Sequence, residues 1–279
     1  MPAPQFLAIG HAVRDRTPRR WRWGGAAVYA ALTAARWGVS AALLTAGDRA
    51  PSLRGVEVHC KPGPLCTAFE NRYQEGGTRR QRLLSRAPLL EPADLPPSWR
   101  DASLVLLAPV AQEVSPAFVD CFPKAVIGAA LQGWLRHWSG DGVIFPCALA
   151  SDFPLARLDV LIASQEDVED PSVFPVWAQK VPLVVKTCGR DGAVLWVRGQ
   201  AYSVPVVPRE EVDPTGAGDV FAATFLLRLW ETGSAWEAVR WAAAAGALCV
   251  GRVGLAGVPY RCQVARLLAT PQWHRLWHG

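Results

Sequence analysis

Short, uninterrupted apolar runs constrain this chain more than any other feature. Phe6-Leu7-Ala8-Ile9 ends at Gly10, and Leu104-Val105-Leu106-Leu107, Ala125-Val126-Ile127-Gly128, Val143-Ile144-Phe145, Val160-Leu161-Ile162 and Leu183-Val184-Val185 repeat the pattern. Such runs are too short for ordinary helices. Because they lack polar alternation, they predict strands covered on both faces. Between the first two strands, residues 26–37 are Ala-rich and free of proline and are closed by Gly38, which predicts a helix with a glycine stop. Residues 39–45 predict the next strand. Strand, helix, strand is the opening of a parallel sheet with right-handed crossovers.

Residues 56–85 break that rhythm. Val56-Glu57-Val58-His59, the stretch 67–73 and Arg82-Leu83-Leu84 are short alternating runs between Gly/Pro turns. They predict a small antiparallel sheet projecting from the main body. Residues 193–197 and 200–207 read as a hairpin around Arg198-Gly199. Helices are expected from 218 to about 230 and from 234 to about 250, with Ser234 as N-cap. No internal repeat or low-complexity linker interrupts the 279 residues, so one α/β domain with a β lid is the economical reading.

Hydrophobic residues make up 51% of the chain and charged ones 19%, enough for a sizeable core. No apolar segment reaches membrane-spanning length, and Met1-Pro2-Ala3-Pro4 has no basic stretch leading into an apolar run, so neither a membrane helix nor an export signal is expected. Seven scattered cysteines without a C-x-x-C pair argue against a zinc site or a disulfide framework and fit a reducing cytoplasm. The net charge of +5 admits an anionic ligand. The arginines are dispersed, their densest group being Arg14, Arg16, Arg19, Arg20 and Arg22. No finger, recognition helix or RNP pattern is present, so nucleic acid is not an expected partner.

The chemistry concentrates in Val212-Asp213-Pro214-Thr215-Gly216-Ala217-Gly218-Asp219. Small residues at 216–218 let backbone N–H groups turn toward an anion, and the helix mouth behind them adds partial positive charge. An aspartate beside a phosphate nest repels its ligand unless it has a task. Asp219 could take the proton of an attacking hydroxyl. As a bare G-x-G-D this would be a turn with a helix-capping acid; the longer string is far more specific.

That string resembles the C-terminal signature of the ribokinase-like, or PfkB, carbohydrate kinase family. The resemblance implies that Gly216, Ala217 and Gly218 form the anion hole, that Asp219 is the catalytic base, and that Asp213 stands at a K⁺ site present in several relatives. Gly10-His11-Ala12-Val13-Arg14-Asp15 resembles the family's G-x-x-x-x-D, which places Asp15 on substrate hydroxyls. Gly24-Gly25 and the helix after them resemble the first family signature, with Tyr29 standing where many members have asparagine. Thr187, Gly189 and Gly192 match the nucleotide-side T-x-G-x-x-G turn. Ser164 and Asp167 fill the places of N-x-x-E, so Asp167 with Glu166 is the implied Mg²⁺ site, acting through water. Gly254 is placed by the adenine pocket.

Asn71-Arg72-Tyr73, Arg79-Arg80-Gln81, Pro109-Val110-Ala111-Gln112-Glu113 and Leu131-Gln132-Gly133-Trp134-Leu135-Arg136 resemble a subgroup that includes plant myo-inositol kinases and bacterial relatives, which makes Asn71, Gln132 and Arg136 substrate-pocket candidates, with a purely structural hydrogen bond an equal reading for each. The resemblance implies a ribokinase-like fold: a mostly parallel central sheet flanked by helices in Rossmann-like layers, one domain over 1–279, with about 12–24 and 56–85 contributing the lid. It implies an ATP- and Mg²⁺-dependent kinase acting on a sugar or cyclitol hydroxyl, cytoplasmic, and dimeric through the lid. Two alternatives remain: a nucleoside kinase, since Trp21 and Trp23 could stack on a base, or a non-catalytic sugar-binding relative.

Overall fold

The computed structural model describes residues 3–17, 20–73, 79–207 and 209–278. Arg19 of the basic group and residues 74–78 of the expected lid lie outside them. The chain opens with strand β1 (Phe6–Ile9), the pair β2 (Val13–Arg16) and β3 (Trp21–Gly24), helix α1 (Ala26–Trp37) and strands β4 (Ala41–Gly47) and β5 (Val56–Pro62). Next come β6 (Thr67–Tyr73), β7 (Arg79–Ser85), β8 (Leu104–Leu107), β9 (Val126–Ala130), β10 (Arg136–Trp138) and β11 (Ile144–Pro146). The last part holds β12 (Val160–Ser164), α2 (Val173–Trp177), β13 (Leu183–Thr187), β14 (Ala193–Val197), β15 (Gln200–Val204), α3 (Ala217–Thr232), α4 (Ala235–Cys249), α5 (Arg261–Leu268) and α6 (Pro271–His278).

Nine strands form the main sheet in the order β15-β14-β13-β12-β9-β8-β1-β4-β5. Neighbours from β5 to β13 run parallel, and β14 and β15 add an antiparallel edge. The apolar runs are continuous because both faces are covered. Phe6 and Ala8 pack toward α1, α3 and α4, whereas Leu7 and Ile9 pack toward Trp99, Phe118, Phe122 and α2. Burying an aliphatic side chain of this kind contributes about 1.5–3 kcal/mol. Helix α3, with every residue from Val220 to Leu227 buried, is the apolar prop that presents its N-terminus to the cleft.

The lid is a second sheet of four strands in the order β3-β2-β6-β7. It differs from the sequence expectation in two ways. First, β5 belongs to the main sheet, pairing in parallel with β4. It is an edge strand whose Val56 and Val58 pack against the core between polar neighbours, and its alternation V-E-V-H therefore resembles that of a lid strand. Second, the lid is mixed: β2–β3 and β6–β7 are antiparallel hairpins, but β2 and β6 run parallel where the hairpins meet. The run 143–145, expected as a central strand, instead enters the hairpin β10–β11 with half-exposed side chains. That hairpin touches the lid through the Leu83 N–H, which donates to the Gly142 carbonyl at 2.8 Å.

Lid and body join at His11, fully buried between β1 and β2. Its Nε2 lies 2.9 Å from the Pro88 carbonyl and its Nδ1 2.6 Å from Thr67 Oγ1. Beside it, the buried Glu113 accepts from the backbone N–H groups of His11, Val110 and Ala111 at 2.6–3.0 Å. A buried side chain answering three otherwise unpaired donors fixes the root of the lid.

Candidate active site

The carboxyl ends of the parallel strands open into a cleft of about 1700 Å³ beneath the lid. This is where open α/β sheets place ligands, next to the point at which strand order reverses, here at β1 between β4 and β8. Seventeen of the expected site residues line it: Asp15, Gly25, Tyr29, Asn71, Gln132, Arg136, Ser164, Glu166, Thr187, Gly189, Gly192, Asp213, Gly216, Ala217, Gly218, Asp219 and Gly254. Gly24 and Asp167 do not. Gly24 stands directly behind Asp15, and a β-carbon there would lie 2.4 Å from Asp15 Oδ2, so glycine leaves that carboxylate its room.

At the mouth of α3, Gly216 holds φ +85°, a left-handed turn that points the chain into the helix. Asp219 sits in the first helical turn and faces the cleft. Of the amides expected to face an anion, that of Ala217 is already used. Its N–H donates to the Pro214 carbonyl at 3.2 Å, closing the turn. Among the described residues the amides of Gly216 and Gly218 carry no such bond, as expected for a helix start. Asp213 secures the turn from the other side, accepting from the Thr215 N–H on Oδ1 and the Gly254 N–H on Oδ2, both at 3.0 Å. One carboxylate thereby ties the loop before α3 to the loop after α4.

Tyr29, 2% exposed, forms the floor between the two halves of the cleft. Its ring packs under Gly216, and its hydroxyl lies by Gly254. Burial, followed by the charges of Cys249, Asp219, Asp213 and Asp15, holds its phenol far above the ordinary value. Neighbouring Cys249 is pushed up to about 12, mainly by burial and then by Asp219 and Asp213.

The two acids expected at a metal site separate. Glu166 lines the cleft. Asp167 is 7% exposed and turned inward, accepting from the Ser164 N–H at 3.3 Å, Gln132 Nε2 at 3.3 Å and Arg136 Nη2 at 3.5 Å. It caps its own turn as half of a capping box with Ser164. Among the described residues no group of three His, Cys, Asp or Glu side chains gathers as a metal cage.

Sequence reasoning took Gln81 only as part of the subgroup resemblance and not as a pocket residue, yet its amide lies between Asn71 and Arg136. Its signal was the in-and-out alternation of β7, which places it on the face of Leu83. It also passed over Ala243, Gly246 and Ala247 of α4 and Val250 just after it, a small apolar wall turned to the cleft. Trp21 and Trp23, considered as stacking platforms for a base, are engaged by Arg14, whose guanidinium lies 5.8 and 4.9 Å from their ring centres.

Residues 161–260 match the model of the pfkB family of carbohydrate kinases. Among curated proteins, the chain is similar to inositol 3-kinases from Zea mays (34% identity over 209 residues) and Oryza sativa subsp. japonica (32% over 213). Each match covers 70% of this chain but 54% and 53% of the relative, so the chain spans about half the length of the curated relatives it matches. Among solved structures, it resembles a pyrophosphate-dependent kinase in the ribokinase family complexed with a pyrophosphate analog and myo-inositol (TM-score 0.75, 22% identity, 94% of this chain and 99% of that one). It also resembles Arabidopsis thaliana ribokinase complexed with ribose and ATP (TM-score 0.71, 20% identity, 96% and 99%). The family match from β12 to just beyond α4 and the shared architecture agree with the geometry of the cleft: residues 161–260 match the PfkB carbohydrate kinases, and the chain has the ribokinase fold.

Proposed function

We propose that this protein transfers the terminal phosphoryl group of a nucleoside triphosphate to a hydroxyl of a sugar or cyclitol, with myo-inositol the first acceptor to test. The observation that carries the reading is the mouth of α3, where Asp219 and the backbone amides of Gly216 and Gly218 meet the cleft between an acceptor side and a donor side. Asp15 and Asn71 on the lid grip neighbouring hydroxyls, a carboxylate accepting from two O–H groups at once. Asp219 takes the proton of the attacking hydroxyl. The new oxygen–phosphorus bond forms as the bond to the departing diphosphate breaks. The amides of Gly216 and Gly218 donate to the migrating phosphoryl oxygens. Thr187, Gly189 and Gly192 meet the donor's phosphates, and the α4 wall with Gly254 takes its base.

The donor set suits Mg²⁺ held largely by water and phosphate, with Glu166 as the protein's oxygen ligand and Asp167 behind it. Bound there, the ion supplies positive charge against the phosphoryl oxygens. Asp213 belongs to the same reading as the anchor of a K⁺ site, and a homodimer through the lid as the assembly.

The test is a product-release screen over inositols, pentoses, hexoses and nucleosides with Mg²⁺, with and without K⁺. ATP and pyrophosphate serve as alternative donors, since pyrophosphate-dependent kinases share the fold. Transfer to inositols or sugars is expected. Turnover of nucleosides alone would move the acceptor assignment, and no transfer to any acceptor would remove the kinase reading. The names of the inositol 3-kinase relatives favour the cyclitol, and the commitment of Trp21 and Trp23 to Arg14 disfavours a stacked base.

A further inference from the structure

Four hydrogen-bonded steps cross the cleft from lid to body. Asn71 Nδ2 donates to Asp15 Oδ1 (3.4 Å), Gln81 Nε2 donates to Asn71 Oδ1 (3.1 Å), and Arg136 Nη1 donates to Gln81 Oε1 (3.0 Å). Arg136 then turns its Nη2 to Asp167 Oδ1 (3.5 Å), and Asp167 accepts the Ser164 N–H. From Arg136 outward to Asp15 the bonds all point one way. The guanidinium donates to one amide, that amide to the next, and the second amide to the Asp15 carboxylate. Aligned amide dipoles between a cation and an anion strengthen one another, so the chain behaves as one unit.

We propose that Gln81 and Arg136 are positioning residues: they form a polar clasp coupling the acceptor-gripping Asp15 on the lid to the acidic turn 164–167 on the donor side. The purpose assigned to the clasp rests on the kinase reading above. Arg136 is shared between two carboxylates, reached directly at Asp167 and through two amides at Asp15. Acceptor hydroxyls that donate to Asp15 compete with Asn71 and loosen the chain at one end. A donor whose phosphates and ion recruit the acidic turn alters the other. Whatever each ligand does to the clasp the other feels equally, because binding linkage is reciprocal. Lysine cannot replace Arg136, since one ammonium lacks the planar fork that reaches Gln81 and Asp167 together.

Hydrogen exchange on the free, full-length protein tests this directly. Gln81→Leu removes a lid side chain and leaves the Arg136–Asp167 pair intact. It should nevertheless speed exchange of the body peptide 163–168 by about threefold or more, the scale of coupling within a hydrogen-bond network. Reciprocally, Asp167→Asn and Arg136→Lys should speed exchange in lid strand 67–71, while α4 stays unchanged. If each variant's effect stays within its own element, or none appears, the clasp is overturned. Should Asp167→Asn fail to fold, the half-buried Gln81 arm decides alone. With an acceptor in hand, Gln81→Leu should also raise acceptor KM more than it lowers kcat. The exchange readout needs no turnover, so a failed acceptor screen removes the kinase reading without touching the clasp, and silent exchange does the reverse.

Discussion

The Tyr29 ring lies so close to the α-carbon of Gly216 that a β-carbon on residue 216 would sit 2.2 Å from Tyr29 Cε1. The anion turn is thus moulded onto an aromatic floor and has no room to sink. Gly216→Ala meets both the ring and the cost of a left-handed φ, about 1–2 kcal/mol. The loop must shift outward and re-aim its amides, and a displacement of about 1 Å can cost roughly 10²-fold in rate. We expect kcat to fall by about that factor with folding preserved by circular dichroism. Tyr29→Phe keeps the floor and should retain kcat within a few-fold; a collapse there would mean that the phenol oxygen itself takes part.

Asp219→Asn is nearly isosteric in the first turn of α3 and should leave the thermal midpoint almost unchanged. As a general base its removal should lower kcat by about 10²–10⁴-fold. Donor affinity, measured by calorimetry, should hold or improve, because a negative charge beside the phosphates is gone. Near-parental turnover would refute the base assignment.

How much of this was legible beforehand depends on how local the cause is. The mouth of α3 was readable because Gly216, Gly218 and Asp219 are neighbours and their small size is itself the signal. The inward turn of Asp167 was not readable, because Arg136 is 31 residues away and only folding makes it a partner. Ala217 was assigned to the anion hole, yet its amide serves the turn with Pro214, a choice set by the φ of the residue before it. The strand β5 was misplaced because a one-sided edge strand and a lid strand share the same alternation. Contacts across the fold, such as Gln81 with Arg136, leave only periodicity behind them in sequence.

Thiol chemistry gives an independent check on the electrostatics of the cleft. Burial and the charges of Asp219 and Asp213 hold the Cys249 thiol near 12, so at pH 8 almost none is thiolate, the reactive form. Cys262 is exposed on α5. Mass-spectrometric mapping of brief alkylation at pH 8 should find Cys262 modified and Cys249 untouched. Asp219→Asn lowers one contribution but leaves the larger one, burial, so Cys249 should remain unreactive. Rapid labelling of Cys249 in the folded parent would show that the floor of the cleft is open to solvent.

His11 makes the root of the lid sensitive to acid. Nε2 faces the Pro88 carbonyl and must donate, so Nδ1 accepts from Thr67 Oγ1, which itself accepts from the Ala87 N–H at 2.9 Å. The neutral ring satisfies every partner; a second proton would turn Nδ1 into a donor facing a hydroxyl that then loses its acceptor. Burial lowers the His11 value, helped by Arg86 and opposed by Glu113 and the Pro88 carbonyl. With the folded value below the unfolded one of about 6.5, both states are neutral at higher pH and the group contributes no slope there. As pH falls through about 6.5 the unfolded chain binds a proton that the folded chain refuses, so stability declines until the folded ring also titrates. One proton limits that slope to about 1.4 kcal/mol per pH unit. Urea midpoints between pH 7.5 and 5.5 should fall for the parent and fall less for His11→Gln, which keeps one donor and one acceptor. Exchange in strand 67–71 should quicken first, because Thr67 is the lid's side of the joint. Equal slopes in parent and variant would place the acid sensitivity elsewhere.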